Sequence, residues 1–328
     1  VLDTICIFST IKASLEETSS FIEYHIQIGI DFLIIFFDHP QDEAIKKYQD
    51  NKKIMCISCT PEYWEQKTSK KPLSVEERQE INAKFALKIA RSKKIDWIIH
   101  IDGDEYLYGY EKSIKEILSN INKKNHLVRF PAVEAVPYEL NHINPVQEIS
   151  LFKVHPLTRL GKDFKASRWN YLCLLWEKIT YRLKFFLANI LCEGLDRKSY
   201  IRGYLIGKSA ARVNSDITGF RCHFPIAEKN KLLNYTMVDN LIILHFNCSS
   251  FELWKLKWKR RLDNTVSQKR LNNVQKKELK VFSDHFLLAE NNKQLQNIYK
   301  SLYFLTDKQK SILKKLKLLI EINIYQQL

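Results

Sequence analysis

Four apolar runs, each set off from the next by a helix-forming stretch, constrain this fold more than any other feature. FLIIFF (32–37) is unbroken by a polar residue, as expected of a strand covered on both faces. TICIFST (4–10), IMCIS (54–58) and DWIIHID (96–102) read as its companions. Between the first two, Ser14-Leu-Glu-Glu17 forms a capping box, with Ser14 as the cap and Glu17 reaching back. The helix it opens carries Leu15, Thr18, Ile22, His25 and Ile26 on one side and stops near Gly29. Residues 40–49 read as a short helix, and a polar loop with Pro61 and Pro72 follows the third strand. A second capping box, Ser74 to Glu77, starts a helix that runs to about Arg91 with Ile81, Phe85 and Ile89 inward. Strands separated by single helices imply βαβ units and an α/β fold with a mostly parallel sheet. Ligands of such sheets bind beyond the carboxyl ends of the strands.

The remainder is less regular. Residues 126–140 read as strand and loop, and 169–195 as a long helical insert. Leu172, Leu175, Trp176, Ile179, Leu183, Phe186, Leu187 and Ile190 share one broad face of that insert, bordered by Lys178, Arg182 and Lys184. The expectation is that this face packs into the core. The competing reading is a helix that lies on a membrane or grips a lipid-linked acceptor. From about Arg260 the chain turns rich in Lys, Asn, Gln and Leu, which predicts a helical extension with solvated basic faces. The expected division is a catalytic domain over 1–250 and a helical extension over 251–328.

Composition narrows the partners. With 45% hydrophobic residues the chain can bury a sizeable core. Its net charge of +15 suits nucleic acid, an anionic membrane surface or a phosphorylated small molecule. No zinc-finger spacing, RNP sequence or P-loop is present, so nucleic acid is not the expected partner. Seven cysteines, an odd number in mostly apolar surroundings, suggest buried thiols in a reducing compartment. Cys56 and Cys59 form the one CxxC, but on an extended segment their side chains face opposite ways. The segment VLDTICIFST does not have the pattern of a signal peptide, and no run of about 20 uncharged apolar residues exists to span a bilayer. The expected location is cytoplasmic, with peripheral contact to a membrane.

The chemistry concentrates in HIDGDEYLY (100–108), three carboxylates within four positions directly after an apolar strand. Asp102 and Asp104 project to the same side of an extended strand end. Gly103 between them lets the backbone turn and a ligand approach. Two hard oxygen ligands with room for water and phosphate suit Mg²⁺ or Mn²⁺. The plain alternative is an acidic turn leading into a helix.

Three stretches, in order, resemble glycosyltransferases of the family 2 and family 92 type, which have a GT-A fold. FIEYHIQIGIDFLIIFFD (21–38) is similar to that group's helix and second strand ending in an acid. RQEINAKFALKIARSKKIDWIIHIDGDEYLY (78–108) is similar to its glutamine–asparagine helix, here Gln79 and Asn82, leading into the D-x-D-E motif. LHFNCSSFELWKLKWKRR (244–261) is similar to its histidine-containing ending. The resemblance covers about 1–140 closely and 200–261 loosely. It implies transfer of a sugar from a nucleotide donor, most often a UDP-sugar, to a glycan, lipid-linked or protein acceptor, with a divalent metal. On that reading Asp104 is the direct metal ligand, and Asp102 lies near the ribose and metal. Asp38 approaches the base or ribose, Glu105 helps position the donor, and His245 serves metal or diphosphate. His223 matches a further family histidine. The chain departs from the pattern at Lys12, where the following Asn is absent, and at Phe246, where Tyr is usual.

A leaving nucleoside diphosphate also calls for positive charge. Lys208 and Arg212 are candidates, Arg offering a two-pronged fork to phosphate. An inverting transfer needs a base, for which Glu134, Asp216 and Asp239 are available, and Asp216 is chosen because it precedes the His223 segment. His100 and His25 are expected in the core. The rival readings are a metal-dependent nucleotidyltransferase or phosphohydrolase, and a non-catalytic basic scaffold on membranes.

Overall fold

The computed structural model describes residues 2–158, 160–263, 266, 268, 271–286 and 292–327. Two compact units alternate along the sequence. The first comprises Val1–Pro131, Leu157–Leu174 and Ile206–Ile243, and the second Ala132–Pro156, Leu175–Leu205 and Leu244–Leu328. The packing therefore does not divide at residue 250 as expected.

The chain begins with β1 (Ile5–Ile11), α1 (Leu15–Gln27), β2 (Phe32–Phe37), α2 (Glu43–Tyr48) and β3 (Ile54–Ser58). There follow α3 (Pro61–Thr68), α4 (Val75–Ser92), β4 (Trp97–His100), β5 (Glu105–Gly109), α5 (Ile114–Ser119) and β6 (Leu127–Phe130). Next come β7 (Ala132–Ala135), α6 (Pro145–Glu148), β8 (Leu151–Lys153), β9 (Phe164–Ala166) and α7 (Arg168–Leu191). Strands β10 (Lys208–Arg212), β11 (Ile217–Phe220), β12 (Pro225–Ala227), β13 (Leu233–Met237) and β14 (Leu241–His245) precede the last helices. Those are α8 (Phe251–Leu262), α9 (Asn273–Phe286), α10 (Asn292–Tyr303) and α11 (Asp307–Lys315), closed by β15 (Leu319–Glu321).

The first unit is an α/β structure around an eight-stranded sheet of order β3-β2-β1-β4-β10-β6-β13-β9. All neighbours are parallel except that β10 runs antiparallel to both β4 and β6. The expected mostly parallel sheet flanked by helices is thus observed. Every residue of β2 is buried, which stabilises by roughly 1.5–3 kcal/mol per large side chain. Ser14 and Glu17 form the capping box of α1 as its sequence predicts. Thr18, Ile22 and His25 face inward, whereas Leu15 is exposed. The loop expected around Pro61 is instead the helix α3, capped by Thr60 with Pro61 in its first turn.

On α4 the most deeply buried face is Asn82, Ala83, Ala86, Leu87 and Ala90. Ile81, Phe85 and Ile89 pack at its margin, half-buried. Small alanines let the helix axis approach the sheet, so the larger residues flank the contact rather than fill it.

In the second unit β15, β8 and β7 pair antiparallel in that order. The C-terminal helices do more than carry solvated charge. Phe251, Trp254, Trp258, Phe282, Tyr299 and Tyr303 form an aromatic core among α8, α9 and α10. Glu278 is buried within it and accepts hydrogen bonds from Trp254 Nε1 (2.6 Å), Trp258 Nε1 (3.0 Å) and the Tyr303 hydroxyl (2.7 Å). Arg202 neutralises it through Nη1 at 3.1 Å.

The long helix α7 forms as expected but turns the other way. Tyr181, Phe185 and Ala188 pack against Leu313, Leu318 and Leu319. The apolar face assigned to the core, from Leu172 to Ile190, is exposed.

Candidate active site

Strands β1, β2 and β4 run parallel, and their registers align Phe8 with His100 and Ile11 with Phe37. The residues that follow β2 and β4 therefore emerge at one rim of the sheet. Asp38 leaves β2 there, its N–H donating to the Ile11 carbonyl at 2.9 Å. Beyond β4 the chain turns at Asp102–Glu105, closed by the Glu105 N–H donating to the Asp102 carbonyl at 3.0 Å, and enters β5 rather than a helix.

A Cβ added at Gly103 would meet only the Ile11 side chain, no closer than 3.5 Å. The turn thus does not require glycine. Gly207 is the demanding position: its φ is +72°, and a Cβ there would collide with the Phe130 carbonyl. That glycine admits β10 beside β6, and the next residue is Lys208.

Lys208 points into the acidic cluster. Its Nζ lies 2.8 Å from Asp102 Oδ2 and 2.9 Å from a Glu105 carboxylate oxygen, and donates to the Cys222 carbonyl at 2.8 Å. Glu105 is wholly buried and also accepts the Asp102 N–H at 2.8 Å. It braces the turn that presents Asp102. Burial alone would push the Asp102 carboxyl up, but the Lys208 ammonium outweighs it and, with His100 and His223, holds it well below the usual carboxylate range. Burial likewise draws Lys208 down, and the two carboxylates more than reverse that, so it stays protonated.

Helix α4 reaches the rim with its N-terminal half. Gln79 Nε2 donates to Asp102 Oδ1 at 2.6 Å while its Oε1 accepts from the Cys222 thiol at 3.2 Å. The adjacent Arg78 pairs through Nε with Asp38 Oδ1 at 3.1 Å, and Lys71 pairs with the same oxygen at 2.8 Å. One turn on, Asn82 donates to Thr10 Oγ1 at 2.9 Å and accepts from the Tyr63 hydroxyl at 2.7 Å. One helix thereby ties the ends of β1, β2 and β4 together. Gln79 and Asn82 are among the residues expected from sequence; Arg78 and Lys71 are not, their only signal being charge beside the second capping box.

His100 is a core residue, as expected. Its Nδ1 faces the Cys222 carbonyl at 2.9 Å and so carries the proton. Burial and then Lys208 push its pKa down to about 4. Its Nε2, 3.8 Å from Asp102, is therefore uncharged at neutral pH. His25 is the same case: Nδ1 bonds the Phe21 carbonyl at 2.7 Å, Nε2 accepts the Leu107 N–H at 3.3 Å, and burial lowers its pKa to about 4.

Two candidates fall elsewhere. Because β10 is antiparallel to β4, its first residue, Lys208, lies at the acidic rim, and its last, Arg212, pairs with Trp97 at the amino end of β4. There its guanidinium stacks 4.2 Å over the Trp97 ring and lies 3.5 Å from Asp3. Asp216 sits in a half-exposed pair with Lys231 at 3.5 Å. Its neighbours Ser215 and Ile217 accept hydrogen bonds from Arg91, near the C-terminal end of α4, the end away from Gln79. Neither residue is placed to serve the acidic rim. His245 belongs to the second unit, buried against Gly203 and Tyr204. His223 is half-buried, and near enough for its charge to act on Asp102.

A divalent cation at this rim would find Asp104 as its most exposed carboxylate. Each Asp102 oxygen already accepts one hydrogen bond, from Gln79 and from Lys208, and Glu105 is enclosed. Asp104 is the exposed acid of the motif. Among the described residues no group of three or more His, Cys, Asp or Glu could hold a metal by itself. Mg²⁺ and Mn²⁺ commonly take one or two carboxylates and complete their shell with water and substrate phosphate, so a single exposed carboxylate would be compatible with either ion.

No known family profile matches the chain. Two Arabidopsis thaliana proteins described as glycosyltransferase-like are similar to it. One is 26% identical over 267 residues, covering 75% of this chain and 54% of the relative; the other is 27% identical over 169 residues, covering 45% and 33%. The chain thus spans about half the length of the first and a third of the second. Among solved structures, the Mn/GDP form of core-mannan synthase A from Aspergillus fumigatus is 11% identical with a TM-score of 0.31, covering 64% of this chain and 60% of that one. Glucosyl-3-phosphoglycerate synthase from Mycobacterium tuberculosis, with Mn²⁺, UDP and glucosyl-3-phosphoglycerate, is also 11% identical at 0.31, covering 81% and 82%.

Proposed function

We propose that the first unit binds a nucleotide-sugar, with UDP the expected nucleotide, at the rim of Asp38, Asp102 and Asp104, and transfers the sugar to an acceptor hydroxyl with inversion. The observation that carries this reading is the placement of Asp102. It is a carboxylate kept ionised at the carboxyl end of a parallel strand, braced by Lys208 and Gln79, with Asp104 outward beside it. The naming of the two plant relatives supports it.

In this reading Asp38, oriented by Arg78 and Lys71, accepts hydrogen bonds from the nucleoside. Asp102 accepts from the ribose at the part of its carboxylate that remains accessible, its side chain being 24% exposed. Lys208 cancels one of the two inner negative charges, so a diphosphate meets a less repulsive rim. A divalent ion held by Asp104 and the donor's own phosphate oxygens would stabilise charge on the leaving diphosphate.

The test is a panel of UDP- and GDP-sugars incubated with the purified chain, with and without Mn²⁺. A transferase releases nucleoside diphosphate slowly from one donor, only with metal. Release of pyrophosphate or phosphate from unglycosylated nucleotides would point to the nucleotidyltransferase or phosphohydrolase reading instead.

A further inference from the structure

Over half of the large apolar side chains exposed among the described residues lie on α7. Within the second unit its outward face presents Trp176, Ile179, Leu183, Phe186, Leu187 and Ile190, each between 47% and 68% exposed. They recur at three- and four-residue intervals, so they form one continuous stripe along the helix. The opposite side, Tyr181, Phe185 and Ala188, is already packed. The helix is therefore apolar on two sides, and the second cannot be explained by its own unit's core.

Charge says what the stripe faces. Lys178 and Arg182 border one edge and Lys184 the other, and Glu177 is the only acid in the helix. A second copy laid on this face would set basic edge against basic edge, which is repulsive. An anionic lipid surface neutralises both edges at once, and the whole chain adds +15 to the attraction. Trp176 suits the boundary between headgroup and acyl chain. No described helix is long and apolar enough to cross a membrane, so the geometry is that of a helix lying in the interface.

We propose that α7 is a membrane-docking helix that inserts its Trp176–Ile190 stripe into the headgroup region of an anionic bilayer. This does not depend on the nucleotide-sugar reading.

Tryptophan position makes the test specific. Trp64, Trp97, Trp254 and Trp258 are at most 1% exposed, whereas Trp169 and Trp176 are both largely exposed on α7. Vesicles of equimolar phosphatidylcholine and phosphatidylglycerol should retain the protein on sedimentation, and brominated acyl chains should quench its fluorescence. Pure phosphatidylcholine vesicles should bind about tenfold less. The double variant Leu183→Asp/Phe186→Asp, at exposed sites, should lose binding about tenfold or more with an unchanged thermal melt. Replacing Lys178, Arg182 and Lys184 by Gln should weaken it and reduce its salt dependence. Equal retention of wild type and the Asp variant would overturn the proposal. So would absence of bromine quenching, or a concentration-dependent dimer in sedimentation velocity that the Asp variant abolishes with no vesicle binding by either form.

Discussion

Lys208 Nζ lies 2.8 Å from Asp102 Oδ2 inside a cluster where Glu105 is its second anion, so one buried cation holds two acids of the motif. Removing it as Lys208→Met would leave a buried carboxylate uncompensated, at a cost of about 3–5 kcal/mol. Urea denaturation should show a lower midpoint with an unchanged slope. Lys208→Arg should not restore stability, because a planar fork cannot replace a point charge that also bonds the Cys222 carbonyl.

Stability should fall with acid in two stages. His25 and His100 have folded pKa values of about 4, below the free imidazole near 6.5. Between those values the unfolded chain binds more protons, so stability is lost as pH drops from about 6.5 to 4, by roughly 3 kcal/mol per histidine. Asp102, depressed by Lys208, contributes stability that is present above about pH 4 and is lost below it. Denaturation midpoints at stepped pH should show His25→Gln flattening the upper stage and Asp102→Asn the lower.

Gly207→Ala should cost roughly 1–3 kcal/mol, since it forces a left-handed φ on alanine and drives its methyl into the Phe130 carbonyl. A thermal melt would detect this. Gly103→Ala, at ordinary contact with Ile11, should leave the melt unchanged.

Glu278 organises the aromatic core of the second unit. Glu278→Gln would remove the negative partner of Arg202 and set an amide against three donors. The expected loss is about 2–5 kcal/mol, read by urea denaturation with tryptophan emission from Trp254 and Trp258 as reporter.

The sheet was legible because its signals are local. FLIIFF and IMCIS are the observed β2 and β3, and Ser14–Glu17 caps α1 as read. What sequence could not give is direction and side. Lys208 and Arg212 sit four residues apart in one motif-like run, yet the antiparallel course of β10 sends one to the acids and the other to Trp97. Helix α7 has two apolar faces, and periodicity does not say which one the core takes. Arg78, Lys71 and Glu278 are charged residues whose burial depends on a partner distant in sequence. The acidic motif stands out in the sequence, but not the lysine that pairs with both of its inner acids and cancels one of their two charges.

The most direct test of the account is calorimetric titration of UDP into the wild-type chain and Asp104→Ala, each with and without Mn²⁺. Binding to the wild type is expected only with Mn²⁺, and none to Asp104→Ala, whose melt stays native. UDP binding that ignores Mn²⁺, or that survives unchanged in Asp104→Ala, would contradict it.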